Sequence, residues 1–166
     1  MARSTRNPFL SRSFQRTLGA LTRSALRAGS KSSASALGAM RGRRAAAPLA
    51  PLPEATHLPA LLVIHGSADP IVAPRNGAQA AQLWANREGA QTGTPRTVQR
   101  GARYAATVTD YRTRGRLVAT LCLVNGLGHA WSGGAARHAY SDPKGPDASR
   151  MIWAFAAKQF ARPARH

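Results

Sequence analysis

Two short stretches of this chain carry side chains that could act on a substrate. One is His65-Gly66-Ser67-Ala68-Asp69-Pro70, which offers a carboxylate; the other is Gly126-Leu127-Gly128-His129-Ala130-Trp131-Ser132-Gly133-Gly134, which offers an imidazole. An Asp and a His brought together share a hydrogen bond in which the carboxylate fixes the imidazole tautomer and stabilises its cation. That is the base half of a nucleophilic triad. Each residue alone says less, since Asp before Pro is a common turn former and a lone His is more often a structural donor. Positions 69 and 129 are sixty residues apart, so the chemistry depends on elements that bring them to one place.

The sequence between and around them can supply such elements. Residues 58–66 (LPALLVIHG) form a continuous apolar run with β-branched members, closed by Gly66. This fits a strand buried on both faces, as in a parallel sheet under helices. Asp69-Pro70 breaks the chain, and 74–89 reads as a helix with Ala81, Leu83, Trp84 and Ala85 on its apolar side and Gly89 as its stop. After a stretch of Gly, Thr, Arg and Gln come 104–111 (YAATVTDY) and 116–125 (RLVATLCLVN), two strands joined by Arg-Thr-Arg-Gly. The glycine-rich loop 126–134 leads to a last helix, 147–161, which Asp147 can cap and whose Met151, Ile152, Phe155, Ala156 and Phe160 face a core. Strand, helix, strand, strand, helix is an α/β order. In open α/β sheets ligands bind beyond the carboxyl ends of the strands, where loops present side chains without disturbing the packed layers. The Asp69 loop and the His129 loop both follow a strand.

The wording of these loops adds a resemblance. LLVIHGSADPIVAPRNG, followed some fifty residues later by VNGLGHAWSGG and then by SDPKGPDASRMIWAF, resembles the C-terminal half of the poly(3-hydroxybutyrate) depolymerase family. This is a group of α/β-hydrolase esterases that includes relatives acting on feruloyl and acetyl-xylan esters. The resemblance covers roughly residues 32–160, about three quarters of the chain, and HGSADPIV and GLGHAWSGG are specific at this separation. It implies a partial α/β-hydrolase fold over 54–166, made of that fold's C-terminal strands and helices. It implies that Asp69 is the triad acid and His129 the triad base. Trp131, Ser132 and Gly133 would then lie against the substrate, with Gly134 continuing a loop whose small residues leave room for the ester. The implied substrate is a hydroxyalkanoate polyester or a small carboxylic ester, the implied nucleophile is a serine, and serine esterases need no cofactor. Many members are secreted, which implies an extracellular setting. His65, at the end of the strand that bears the acid loop, reads as a buried hydrogen-bonding residue, and Trp84 and Trp153 read as core. His138 and Tyr140 lie in the loop after the base.

The family's reaction needs a serine on a strained strand-to-helix turn, G-x-S-x-G. None of the twelve serines here has glycine two positions before it. The nearest imitation, Gly29-Ser30-Lys31-Ser32-Ser33, also lacks a preceding buried strand. The early strands and the loop that would supply oxyanion-hole amides, often the largest catalytic contribution, are missing too. The alanine-rich stretch 32–41 resembles the family's segment shortly after the nucleophile region. Cys122 lies mid-strand in an apolar run and reads as an inert core thiol. The isolated chain is therefore expected to be inactive, as a truncated remnant or as one half of a split enzyme. An open strand edge of buried type pairs with something, here a second copy or a chain supplying the missing strands.

Composition sets the first 53 residues apart. The whole chain of 166 residues is 43% apolar, which rules out wholesale disorder, and its 24 Lys and Arg against 6 Asp and Glu give a net charge of +18. Residues 1–53 hold ten of the cations and no acid. Within them Phe14, Leu18, Leu21 and Ala25 recur at helical spacing among arginines, which reads either as a basic amphipathic helix or as a solvated arm. Residues 1–28 could so meet an anionic membrane surface. Residues 29–53, rich in Ser, Ala and Pro and ending in Ala-Pro-Leu-Ala-Pro-Leu-Pro, read as a linker or long loop. A basic module binding nucleic acid is the weaker reading. No zinc spacing, helix-turn-helix or RNP-like signature backs it, so affinity would be driven by phosphates alone. The single cysteine excludes an intramolecular disulfide, and no run of about 18 apolar residues spans a bilayer. Arginines interrupt any secretory-signal core near the N-terminus, which leaves a cytoplasmic location open beside the extracellular one. The histidines at 57, 65, 129, 138 and 166 form no helical pair, so no metal site is expected.

Overall fold

The computed structural model describes residues 33–42 and 58–161. In chain order the elements are α1 (Ser33–Met40), β1 (Leu61–Gly66), α2 (Pro74–Arg87), β2 (Gln91–Thr92), β3 (Arg96–Gln99), β4 (Ala105–Thr113), β5 (Arg116–Val124), β6 (Trp131–Ser132), β7 (Ser141–Asp142) and α3 (Ala148–Phe160). Strands β1, β5, β4 and β2 lie side by side in that order, and β3 also pairs with β4. β1 runs parallel to β5, from Leu61 opposite Ala119 to Gly66 opposite Val124, whereas β4 runs antiparallel to β5. A mixed sheet with helices packed on it places the chain in the α/β class. β6 and β7 form a separate short parallel pair.

β5 reads as a continuous apolar run because it is enclosed on all sides. β1 and β4 flank it, and its side chains are divided between two clusters, Val118 sharing the first with Ala119 and Leu121. Ala119 and Leu121 join Ala81, Trp84 and Ala85 of α2 together with Leu58 and Tyr111. Cys122 and Val124 join Ala106, Val108 and Leu127, against which Ile64 and Met151 of α3 pack. Trp84 is buried as expected, and its indole N–H donates to the Pro59 carbonyl at 2.8 Å, so the bulky side chain leaves no donor unpaired. Strands β4 and β5 are joined by Arg114-Gly115, with φ of 47° and 76°. Two such residues give the turn whose twist matches the strands it connects.

Three expectations differ from the structure. First, α1 falls inside the stretch read as a linker. Its sequence SASALGAM has no proline and three alanines, the strongest helix formers, and its carbonyl end is held from outside. The Asn76 amide donates to Ala39 O and Met40 O at 2.9 Å each, and the Ala73 N–H donates to Met40 O at 2.8 Å. Second, β2 and β3 form in the Gly, Thr, Arg and Gln stretch, to which no element is assigned from sequence. They are mostly exposed and lack alternation, and they exist because β4 offers them an edge.

Third, the last helix is less covered than its apolar pattern implies. Asp147 caps α3 as expected, its carboxylate accepting the Arg150 N–H at 2.9 Å. Yet Ala148 is the only buried residue of the helix, and Ile152, Phe160 and Trp153 are exposed, Trp153 by 72%. α3 packs near β1, which among the described residues has no strand on its outer edge, so part of the apolar stripe overhangs the sheet. The helix expected around Phe14 to Ala25 and the proline-rich 47–53 lie outside the described residues. No described helix is long and apolar enough to cross a membrane.

Candidate active site

The parallel register brings the ends of β1 and β5 together, with Gly66 opposite Val124, so the loops that follow leave the sheet from the same edge. They are stitched to each other. The Ser67 N–H donates to Val124 O at 2.9 Å, the Ala68 N–H to Leu127 O at 3.0 Å, and the Gly126 N–H to Ser67 Oγ at 2.9 Å. Gly66 permits this approach, because a Cβ there would stand 2.3 Å from Leu127 O and 2.5 Å from Gly128 O.

Asp69 sits in the turn that β1 feeds. Its Oδ1 accepts the backbone N–H groups of Ile71 and Val72, both at 2.9 Å. Its Oδ2 accepts from His129 Nδ1 at 2.9 Å. The Asp69 side chain is 6% exposed and that of His129 42%. Burial pushes the Asp69 carboxyl up, but the hydrogen bonds from Val72 N–H, His129 and Ile71 N–H outweigh it and hold it below the usual carboxylate value. An ionised carboxylate makes His129 Nδ1 the donor, which leaves Nε2 of the neutral ring with a lone pair. This arrangement suits a general base.

The two residues expected to meet across sixty positions therefore do so. His65 is a hydrogen-bonding residue, as expected, with Nε2 3.1 Å from Val72 O. It also lies 3.3 Å from Asp69 Oδ2, a contact that sequence reasoning missed; the only signal was the four-residue spacing between the two. The Tyr140 ring packs edge-on against His129, with centroids 5.8 Å apart and planes at 78°. No motif marks that contact. It follows from the fold of the loop, where Tyr140 has φ of 55° and its carbonyl accepts the Trp131 N–H at 2.7 Å. His138 is exposed.

The three residues expected at the substrate separate by role. Trp131 is 50% exposed and lines a cleft of about 170 Å³ together with Leu62, Ile64, Leu127, Ala130 and Ile152. Ser132 also borders this cleft, but it is buried and its hydroxyl donates to Pro146 O at 2.6 Å. That bond ties the hydroxyl's hydrogen to the loop. Gly133, at φ of 74°, lies so close to Asp147 that a Cβ would stand 2.5 Å from the Asp147 Cα. Ser132 and Gly133 thus anchor the histidine loop to the start of α3. Cys122 is fully buried, and burial pushes its thiol up, as an inert core thiol requires.

Among the described side chains no hydroxyl is hydrogen-bonded to His129. Among the described residues no group of three His, Cys, Asp or Glu side chains could hold a metal ion. No family model matches this chain, and no curated protein matches it.

Proposed function

We propose that Asp69 and His129 are the acid and base of a carboxylic ester hydrolase of the serine-esterase type, similar to poly(3-hydroxybutyrate) depolymerases, on the C-terminal part of an α/β-hydrolase fold. The observation that carries this reading is the 2.9 Å bond from His129 Nδ1 to a nearly buried Asp69, made beyond the carboxyl ends of two adjacent parallel strands. In the reaction so read, the attacking hydroxyl gives its proton to His129 Nε2 as its oxygen bonds to the ester carbonyl carbon. Asp69 stabilises the imidazolium, which then returns the proton to the departing alkoxide. The apolar cleft beside Trp131 suits the acyl part of a hydroxyalkanoate or small ester.

The attacking hydroxyl does not sit in a G-x-S-x-G elbow within these 166 residues. In a split enzyme, the polypeptide that carries it would pair along the outer edge of β1, which has no partner among the described residues. The missing elbow also favours a second reading, a catalytically silent chain that keeps the pair as structure.

Serine-dependent turnover is not expected of the isolated chain, but hydrolysis of p-nitrophenyl acetate still distinguishes the two, because this ester is activated enough for imidazole-assisted attack of water to be measured without a serine. The full chain is expected to exceed His129→Ala by about tenfold or more, with Asp69→Asn falling toward that variant. Equal rates in all three proteins contradict the acid–base reading and leave the silent chain.

A further inference from the structure

The loop after the candidate base folds back on it. The Trp131 N–H donates to the Tyr140 carbonyl at 2.7 Å and the Gly133 N–H to the Asp142 carbonyl at 2.8 Å, where β6 pairs with β7. This closure carries Tyr140 to the side of His129, and the two rings meet edge-on, with centroids 5.8 Å apart and planes at 78°. That T-shaped arrangement is a favoured one for aromatic pairs. Tyr140 reaches it at φ of 55°, a left-handed conformation that is costly for a bulky side chain. The residue is also 74% exposed, so its ring adds little to the packed core. Its ring contact is with the imidazole.

Resting on the reading of Asp69 and His129 as an acid–base pair, we infer that Tyr140 is a positioning residue for His129. Among the described residues His129 makes one hydrogen bond, from Nδ1 to Asp69 Oδ2, and its side chain is 42% exposed. A single bond fixes one ring atom and leaves the imidazole free to swing about it, while water competes for the same donor and acceptor. The Tyr140 ring closes one side of that swing and covers part of the imidazole that water would otherwise reach. General-base action requires Nδ1 to stay on Asp69 while Nε2 takes up and returns a proton. The ring contact is what holds the imidazole in that orientation through the cycle.

In the full chain labelled with nitrogen-15 in histidine, the proton on His129 Nδ1 is assigned by its loss in His129→Ala, and its exchange with water is followed by saturation transfer. Tyr140→Phe keeps the ring. Tyr140→Asn removes it and keeps the backbone, because Asn tolerates the left-handed conformation. Exchange is expected to match the parent in Tyr140→Phe and to be about 2- to 10-fold faster in Tyr140→Asn, the range that one T-shaped pair corresponds to. Should Tyr140→Asn fail to fold, Tyr140→Gly, which adopts a positive φ without strain, makes the same comparison. Parent-like exchange in a folded variant without the ring overturns the role of Tyr140 and leaves the acid–base pair intact. Exchange as fast in Tyr140→Phe as in Tyr140→Asn also overturns it, since the ring alone would then not suffice. A parent whose His129 Nδ1 carries no proton, or whose exchange is unchanged in Asp69→Asn, overturns the pair on which the inference rests.

Discussion

Three donors hold the Asp69 carboxylate, two backbone amides on Oδ1 and the His129 imidazole on Oδ2. Such saturation keeps a nearly buried carboxyl ionised. Asp110 is treated similarly: burial pushes it up, but the Thr120 hydroxyl at 2.8 Å and Arg96 at 3.2 Å outweigh burial and hold it down. A carboxyl with a depressed folded pKa contributes stability that is fully present above its unfolded value, about 3.9 for Asp, and is lost as pH falls through the folded value. Urea midpoints are therefore expected to stay level from about pH 7 to about pH 5 and to fall below about pH 4. Asp110→Asn should lower the midpoint at neutral pH and make the acid decline shallower, and an unchanged decline would contradict this account. At this scale the sequence named Asp69 and His129 because their loops carry distinctive wording. It could not assign Ser132 its place, since a serine in a histidine loop reads the same whether its hydroxyl meets a ligand or, as here, Pro146 O.

The elements meet where glycine lets backbone touch backbone. The parallel pairing of β1 with β5 sets the loops side by side, and Gly66 then allows the Asp69 turn to hydrogen-bond to the His129 loop. Gly66→Ala brings a Cβ against two backbone oxygens that cannot rotate away. The variant is expected to lose about 1–3 kcal/mol in urea unfolding, together with its p-nitrophenyl acetate activity; parent-like stability would contradict the close approach. β1, α2, β5 and α3 were legible because each carries a pattern that its own residues generate, an apolar run, an apolar stripe or a cap. β2 and β3 were not, because their pairing is supplied by β4, and α1 was hidden by its proline-rich surroundings, though Asn76 and Ala73 hold its end in place.

At the scale of the whole molecule, the apolar surface is unevenly covered. Trp84 is enclosed between α2 and the sheet, whereas Trp153 on α3 is 72% exposed, near a strand whose outer edge is open among the described residues. Acrylamide is accordingly expected to quench much of the emission that Trp153→Phe removes and little of that removed by Trp84→Phe; equal protection of the two would mean that α3 is covered in solution. The sequence pattern of α3 promised a core-facing stripe without telling how much sheet lay beneath it. In the proposed reading, Asp69 and His129 are an acid–base pair, and these 166 residues contain no G-x-S-x-G elbow for them to activate. Intact mass after treatment with excess fluorophosphonate, beside Asp69→Asn and His129→Ala, is then expected to show no adduct on any of the three proteins. A single adduct on the parent, lost in both variants, would overturn the absence of a nucleophile by revealing a serine that the pair already activates.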